Sequence, residues 1–187
     1  MNIKKIFIFL GSLFLSLFIL LLSYQITLAV TDLTENQQQV MDYLQNDVPL
    51  TLPYTVAERT HLEDVQQVMN GMDYFFYGTT LVIISTLFLF QHDKKHLHQL
   101  LWSGGLTTVG IILLVGLFSV FSFNGVFTLF HQLFFPQGNW QFPVDSLLIQ
   151  TFPLEFFVTI SSRIFFTTLI LGSFFILLAF LLKRYAS

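Results

Sequence analysis

The chain has 187 residues, 54% of them hydrophobic and only 10% charged, with a net charge of −3 and no cysteine. A soluble domain carries about a quarter charged residues, so this composition is that of an integral membrane protein. The acidic balance and the lack of a basic patch argue against a nucleic-acid partner. Without a thiol there is neither a disulfide nor a cysteine nucleophile.

A helix needs about 20 apolar residues to span the hydrocarbon core. Four stretches qualify, at about 6–24, 74–90, 97–121 and 164–182. The first follows Lys4 and Lys5 and has the look of a signal peptide. Its apolar run exceeds the usual about 7–15 residues of an h-region, so it reads as an uncleaved first membrane helix.

Residues 31–46 are polar and Gln-rich, with Val40, Tyr43 and Leu44 on one face of a short helix. DVPLTLPY (47–54) carries two prolines and alternating apolar residues, which predicts an extended strand or turn. Residues 55–69 form a second short helix, and Asn70-Gly71 ends it before the second span. HDKKHLH (92–98) is a tight, solvated turn between spans two and three. After span three, Asn124-Gly125 makes a turn and 126–135 resumes as a helix. Residues 136–143 are a loop, and 146–151 and 153–157 flank a bend at Pro153.

The fold class that follows is an all-α integral membrane protein, one domain over 1–187. Four transmembrane helices carry a small cap formed by the loops between helices 1–2 and 3–4. Charge orients it. Lys4, Lys5, Lys94, Lys95, Lys183 and Arg184, six of the eight basic residues, fall on one side, which positive-inside reasoning makes cytoplasmic. Both termini are then cytoplasmic, and 31–73 and 122–161 are extracytoplasmic. The aromatic-rich second segment suits a headgroup interface, as a lipid anchor or as a groove for acyl chains.

Two of the five histidines, His61 and His131, lie in the extracytoplasmic segments. In ERTHLEDV, Glu58, His61 and Asp64 share a helix face, and a carboxylate one turn away can hold one ring nitrogen and leave the other as a base. His131 stands in the apolar run GVFTLFHQLFF. The bland readings are a surface Asp/His pair and a satisfied core histidine. The functional reading puts both histidines in one site. His61 and His131 with Asp64 or Asp145 are also a possible three-ligand zinc set, though no HExxH motif is present. No GxSxG occurs either. Arg163, at the outer end of the fourth span, either snorkels to lipid phosphate or steadies an oxyanion or Asp145 with its planar fork. Asn139 and Trp140 are the other candidate oxyanion donors.

The first-loop HxxD together with FHQLFFPQGNWQFPVDSLLIQTFPLEFF resembles the bacterial lipoprotein intramolecular transacylase family. The positions that carry the resemblance are Phe130, His131, Phe134, Phe135, Pro136, Gly138, Trp140, Asp145, Pro153, Phe156 and Phe157. Gln137 stands where the family often has glycine. The resemblance implies transfer of the sn-2 acyl chain of a diacylglyceryl lipoprotein to the α-amine of its N-terminal cysteine. The partners it implies are diacylglyceryl lipoproteins and membrane lipid, and it implies no cofactor and no metal. His61 and His131 would then be catalytic, with Asp64, Asn139, Trp140, Asp145 and Arg163 in support. The competing classes are a non-catalytic lipid-binding accessory protein and a metal-dependent membrane hydrolase.

Overall fold

A computed structural model describes residues 3–184, and these fold as seven helices with no strand among the described residues. In chain order they are α1 (Ile3–Ala29), α2 (Glu35–Asn46), α3 (Val56–Phe90), α4 (Lys94–Phe121), α5 (Phe123–Phe134), α6 (Leu147–Thr151) and α7 (Leu154–Arg184). Four of them, α1, α3, α4 and α7, are long and apolar enough to cross a membrane. Two compact units result. The membrane unit comprises the stretch ending at Ala29, Tyr74–Leu117 and the stretch beginning at Ser162; the cap comprises Val30–Asp73 and Phe118–Ser161.

Lipid gives helices no hydrophobic reason to associate, so close backbone approach has to hold the membrane unit together. Its small residues do this. Ser16 Oγ donates to the Gly104 carbonyl at 3.0 Å, joining α1 to α4. A Cβ on Gly104 would meet Leu15 at 2.6 Å, and one on Gly105 would meet the Gly172 carbonyl of α7 at 2.9 Å. Leu15, Ile19, Ile83, Leu101 and Ala179 form the core around these contacts.

Three local expectations are corrected. Asn70-Gly71 does not end a helix, because α3 runs unbroken for 35 residues. A single helical glycine costs only about 1 kcal/mol, too little to break a segment whose flanks are both helical in pattern. At about 52 Å, α3 exceeds the roughly 30 Å hydrocarbon core, and its first turns belong to the cap. Asn124-Gly125 makes no turn either. Ser122 caps α5 by accepting the Gly125 N–H at 3.1 Å, and Gly125 has no side chain to obstruct that oxygen. HDKKHLH, finally, is mostly helix. Asp93 accepts the His96 N–H at the start of α4, and His98 Nδ1 donates to the Ala179 carbonyl at 2.8 Å. Residues 47–54, expected as an extended strand or turn, have no regular secondary structure and bend at Leu52, with Asp47 in the left-handed conformation that ends α2.

The cap is stapled by polar groups around one apolar cluster of Val40, Leu44, Tyr54, Leu62, Leu148 and Phe152. Thr34-Glu35-Asn36-Gln37 is a capping box that starts α2. Thr55 and Glu58 form a second reciprocal pair at the start of α3. The carboxylate of Glu58, only 2% exposed, reaches further and accepts the Leu148 N–H of α6 at 2.8 Å. Gln37 Nε2 donates to the Thr151 carbonyl and Tyr54 Oη to Thr151 Oγ1, so α6 is tied to both earlier cap segments.

Replacing Glu58 by alanine leaves the Leu148 and Thr55 N–H groups without their acceptor, a loss worth about 1–3 kcal/mol. The expected result is a lower Tm in detergent. A Glu58→Ala protein as stable as wild type would refute this role.

Candidate active site

The cap brings the two separate histidines together. His61 sits in the second turn of α3 and His131 in the last turns of α5, each under a tenth exposed, with ring centres 6.4 Å apart. Their enclosure is aromatic. Phe135 lies 4.9 Å from the His61 ring and 5.6 Å from the His131 ring, and so packs against both. Phe142 adds to the wall at His61, and Phe127, Phe130 and Trp140 surround His131. Trp140 stands 4.9 Å from the His131 ring.

Hydrogen bonding assigns a tautomer to His131. Its Nδ1 is 2.8 Å from the Phe127 carbonyl. A carbonyl only accepts, so the proton sits on Nδ1 and Nε2 keeps its lone pair. Burial holds the imidazole pKa below its usual value, and the bond to Phe127 opposes that shift in part. His131 is thus a neutral ring at neutral pH. Two imidazolium ions this close would repel, so the pair disfavours carrying two protons.

Asp64 is part of the same site but not through the contact expected. Its Oδ2 accepts from Gln137 Nε2 at 2.8 Å and from Asn139 Nδ2 at 2.5 Å. The loop that delivers both amides turns at Gly138, whose φ of +78° lies in the left-handed region that favours glycine. Gln137 was missed by sequence reasoning, where it stood only as a departure from a motif glycine. Glu58 acts as the cap's buried anchor, and the sequence signal for that was the box Thr55-Val56-Ala57-Glu58. Asp145 is exposed on the loop before α6, where its carbonyl accepts from Gln150. Arg163 is exposed on the part of α7 that belongs to the membrane unit. Among the described residues, no three His, Asp or Glu side chains are gathered closely enough to hold a metal ion.

A groove of about 340 Å³ lies beside the pair, lined by Gln132, Phe135, Pro136, Gly138, Trp140 and Gln141. Two of its walls, Phe135 and Trp140, are the rings that pack on His131.

Comparison with known proteins decides the family. Residues 3–157 match the family described as lipoprotein intramolecular transacylase Lit. The chain belongs to that family. Its fold is similar to that of the membrane-integral lipoprotein intramolecular transacylase Lit from Bacillus cereus, with a TM-score of 0.81 at 21% identity over 97% of this chain and 94% of that one. A variant of the Bacillus protein with one histidine changed to alanine matches with a TM-score of 0.80 at 20% identity, over 98% and 96% of the two chains. A protein from Aquifex aeolicus, described as uncharacterized, is 27% identical over 118 residues, 60% of this chain. That match spans about half of the Aquifex protein, 52% of its length.

The depressed His131 pKa has a thermodynamic consequence. The unfolded chain takes up a proton near pH 6.5 that the folded protein still refuses, so stability present above that pH is lost as pH falls below it. Histidine-detected NMR titration should show His131 protonating below the free-imidazole range, with Tm falling over the same interval. An ordinary or raised value would contradict the burial argument.

Proposed function

We propose that this chain is an intramolecular acyltransferase acting on diacylglyceryl-modified lipoproteins at the membrane surface. The observation that carries the reading is the pair of buried imidazoles 6.4 Å apart, one of them held through Nδ1 with Nε2 free. The substrate brings its own nucleophile, the α-amine of its N-terminal cysteine, so a chain without cysteine loses nothing by lacking one. The amine attacks the sn-2 ester carbonyl and a tetrahedral intermediate forms. Its collapse makes the amide C–N bond and breaks the C–O bond to glycerol. One proton leaves nitrogen and one reaches the glyceryl oxygen, so one imidazole serves as base while the other assists the carbonyl or the leaving oxygen. We assign the base to His61 and the assisting role to His131, whose Nε2 can donate to the carbonyl or the leaving oxygen only after it has itself taken a proton from the substrate ammonium. Both reacting groups belong to one molecule, and holding them together supplies much of the rate.

The aromatic walls and the adjoining groove suit the apolar and polar parts of such a substrate. Membrane lipid is the other expected partner. Asp64, Asn139 and Trp140 support the pair from within the cap. Asp145 and Arg163 remain candidates for steadying charge. The whole chain acts as one membrane domain, with both termini cytoplasmic and the cap outside, on the strength of its charge asymmetry. A reporter fused after Ser187 should therefore read as cytoplasmic; an exported reading overturns the orientation.

The decisive measurement is mass spectrometry of a lipoprotein's N-terminal peptide with and without this protein, chelator present. Transfer gives an isobaric rearrangement. Loss of one acyl chain would mark a hydrolase, and no change an accessory protein. His61→Ala and His131→Ala should each lower the rate by about 10²–10⁴-fold. Wild-type transfer by both variants would overturn the mechanism.

A further inference from the structure

The cap contains two buried polar atoms with no hydrogen-bond partner, His61 Nδ1 and Asn139 Oδ1. Orphans of this kind are rare in a folded interior and call for an explanation. These two are complementary. One is a ring nitrogen able to donate, the other an amide oxygen able to accept, and the Asn139 amide is the neutral polar group facing the His61 ring. The charged or titratable groups that face the same ring are His131 from α5 and Asp64 from α3 itself.

The orientation of the Asn139 amide is not free. Its Nδ2 donates to Asp64 Oδ2 at 2.5 Å, and Gln137 Nε2 holds the same oxygen at 2.8 Å. With the nitrogen end committed to the carboxylate, the oxygen end is left for the histidine. An oxygen selects the imidazole tautomer protonated at Nδ1 and leaves the lone pair on Nε2. A flipped amide would present N–H groups to the ring and select the opposite tautomer, whose Nε2 is already protonated and cannot act as a base.

We infer that Asn139 is the positioning residue for His61, and that Asp64 orients the histidine through the Asn139 amide rather than by a direct hydrogen bond. This rests on the acyl-transfer reading above. Asp64 is thus an amide lock rather than a direct histidine partner. His61 and His131 then share one design, since each ring is governed at Nδ1 by an oxygen acceptor and presents Nε2 to chemistry. An acceptor at Nδ1 also steadies the imidazolium as it forms. The left-handed Gly138 is what lets the loop deliver this amide beside α3.

The test uses the full-length protein and a diacylglyceryl lipopeptide, with Asn139→Ala, Asp64→Asn and the double variant. Each single change should lower kcat by about 10–100-fold, the loss seen when the hydrogen-bond partner that orients a metal-bound histidine is removed, with KM little changed. The double variant should be no slower than Asn139→Ala, since both changes break one chain of contacts. Nitrogen-15 NMR of histidine-labelled protein should find His61 protonated at Nδ1 in the wild type and mixed between tautomers in Asn139→Ala. Wild-type kcat with an unchanged His61 tautomer in Asn139→Ala overturns the inference, and so do additive losses in the double variant. Where Asn139→Ala fails to fold, Asn139→Asp keeps an acceptor and adds a charge, so the acid limb of the kcat profile should move to higher pH; an unmoved limb also overturns it. His61→Ala separates the two proposals. If it is inactive while Asn139→Ala is normal, only this inference fails; if it and His131→Ala are both fully active, the acyl-transfer mechanism fails with it.

Discussion

The Glu58 carboxylate is the contact on which the cap depends. It is nearly inaccessible to water, and it closes the first turn of α3 through Thr55 while accepting the Leu148 N–H from a segment ninety residues away. A buried carboxylate is costly unless hydrogen bonds satisfy it. Here two backbone N–H groups and one hydroxyl do so. The result ties the start of α3 to α6, and with α6 comes the chain that follows α5. His61 is one turn along α3 from this anchor, so its position is inherited from the tie.

A second carboxylate, Asp64, does comparable work on the other side of His61. It gathers the Gln137 and Asn139 amides from the loop after α5. Between the two anchors the aromatic rings fill the volume, with Phe135 packed on both histidines. Polar groups at the rim thus fix the geometry and rings exclude water from the middle. Water exclusion strengthens any hydrogen bond made inside such a site, which suits a reaction run by two neutral imidazoles.

The membrane unit solves a different problem. In lipid, association comes from packing and interhelical hydrogen bonds rather than from apolar burial. Ser12, Ser16, Gly104, Gly105 and Gly172 let α1, α4 and α7 approach to backbone contact. Every one of these residues is small, and none has a role in the cap. The two units are therefore held by different means, close backbone approach in one and polar satisfaction in the other.

Composition, apolar run length and helical spacing were enough to read four spanning helices, an all-α fold and a cap drawn from two loops, because these depend on local pattern and on the bilayer's thickness. The motif around His131 and the HxxD at His61 marked the family for the same reason: residue identity at short spacing is visible in one dimension. Local punctuation misled where context outweighed it. Gly71 sits inside α3, and Asn124-Gly125 sits inside α5 behind the Ser122 cap. The partner of Asp64 was hidden too. Spacing along α3 pointed to His61, three residues back, whereas the hydrogen bonds go to amides more than seventy residues away. Helical spacing says which residues share a face, and it is silent about what packs onto that face. Bringing the His61 ring within 6.4 Å of the His131 ring, and bonding Asn139 to Asp64, required the chain to fold back on itself. Long-range closure of this kind depends on buried polar groups finding partners, and only the tertiary structure decides which ones they find.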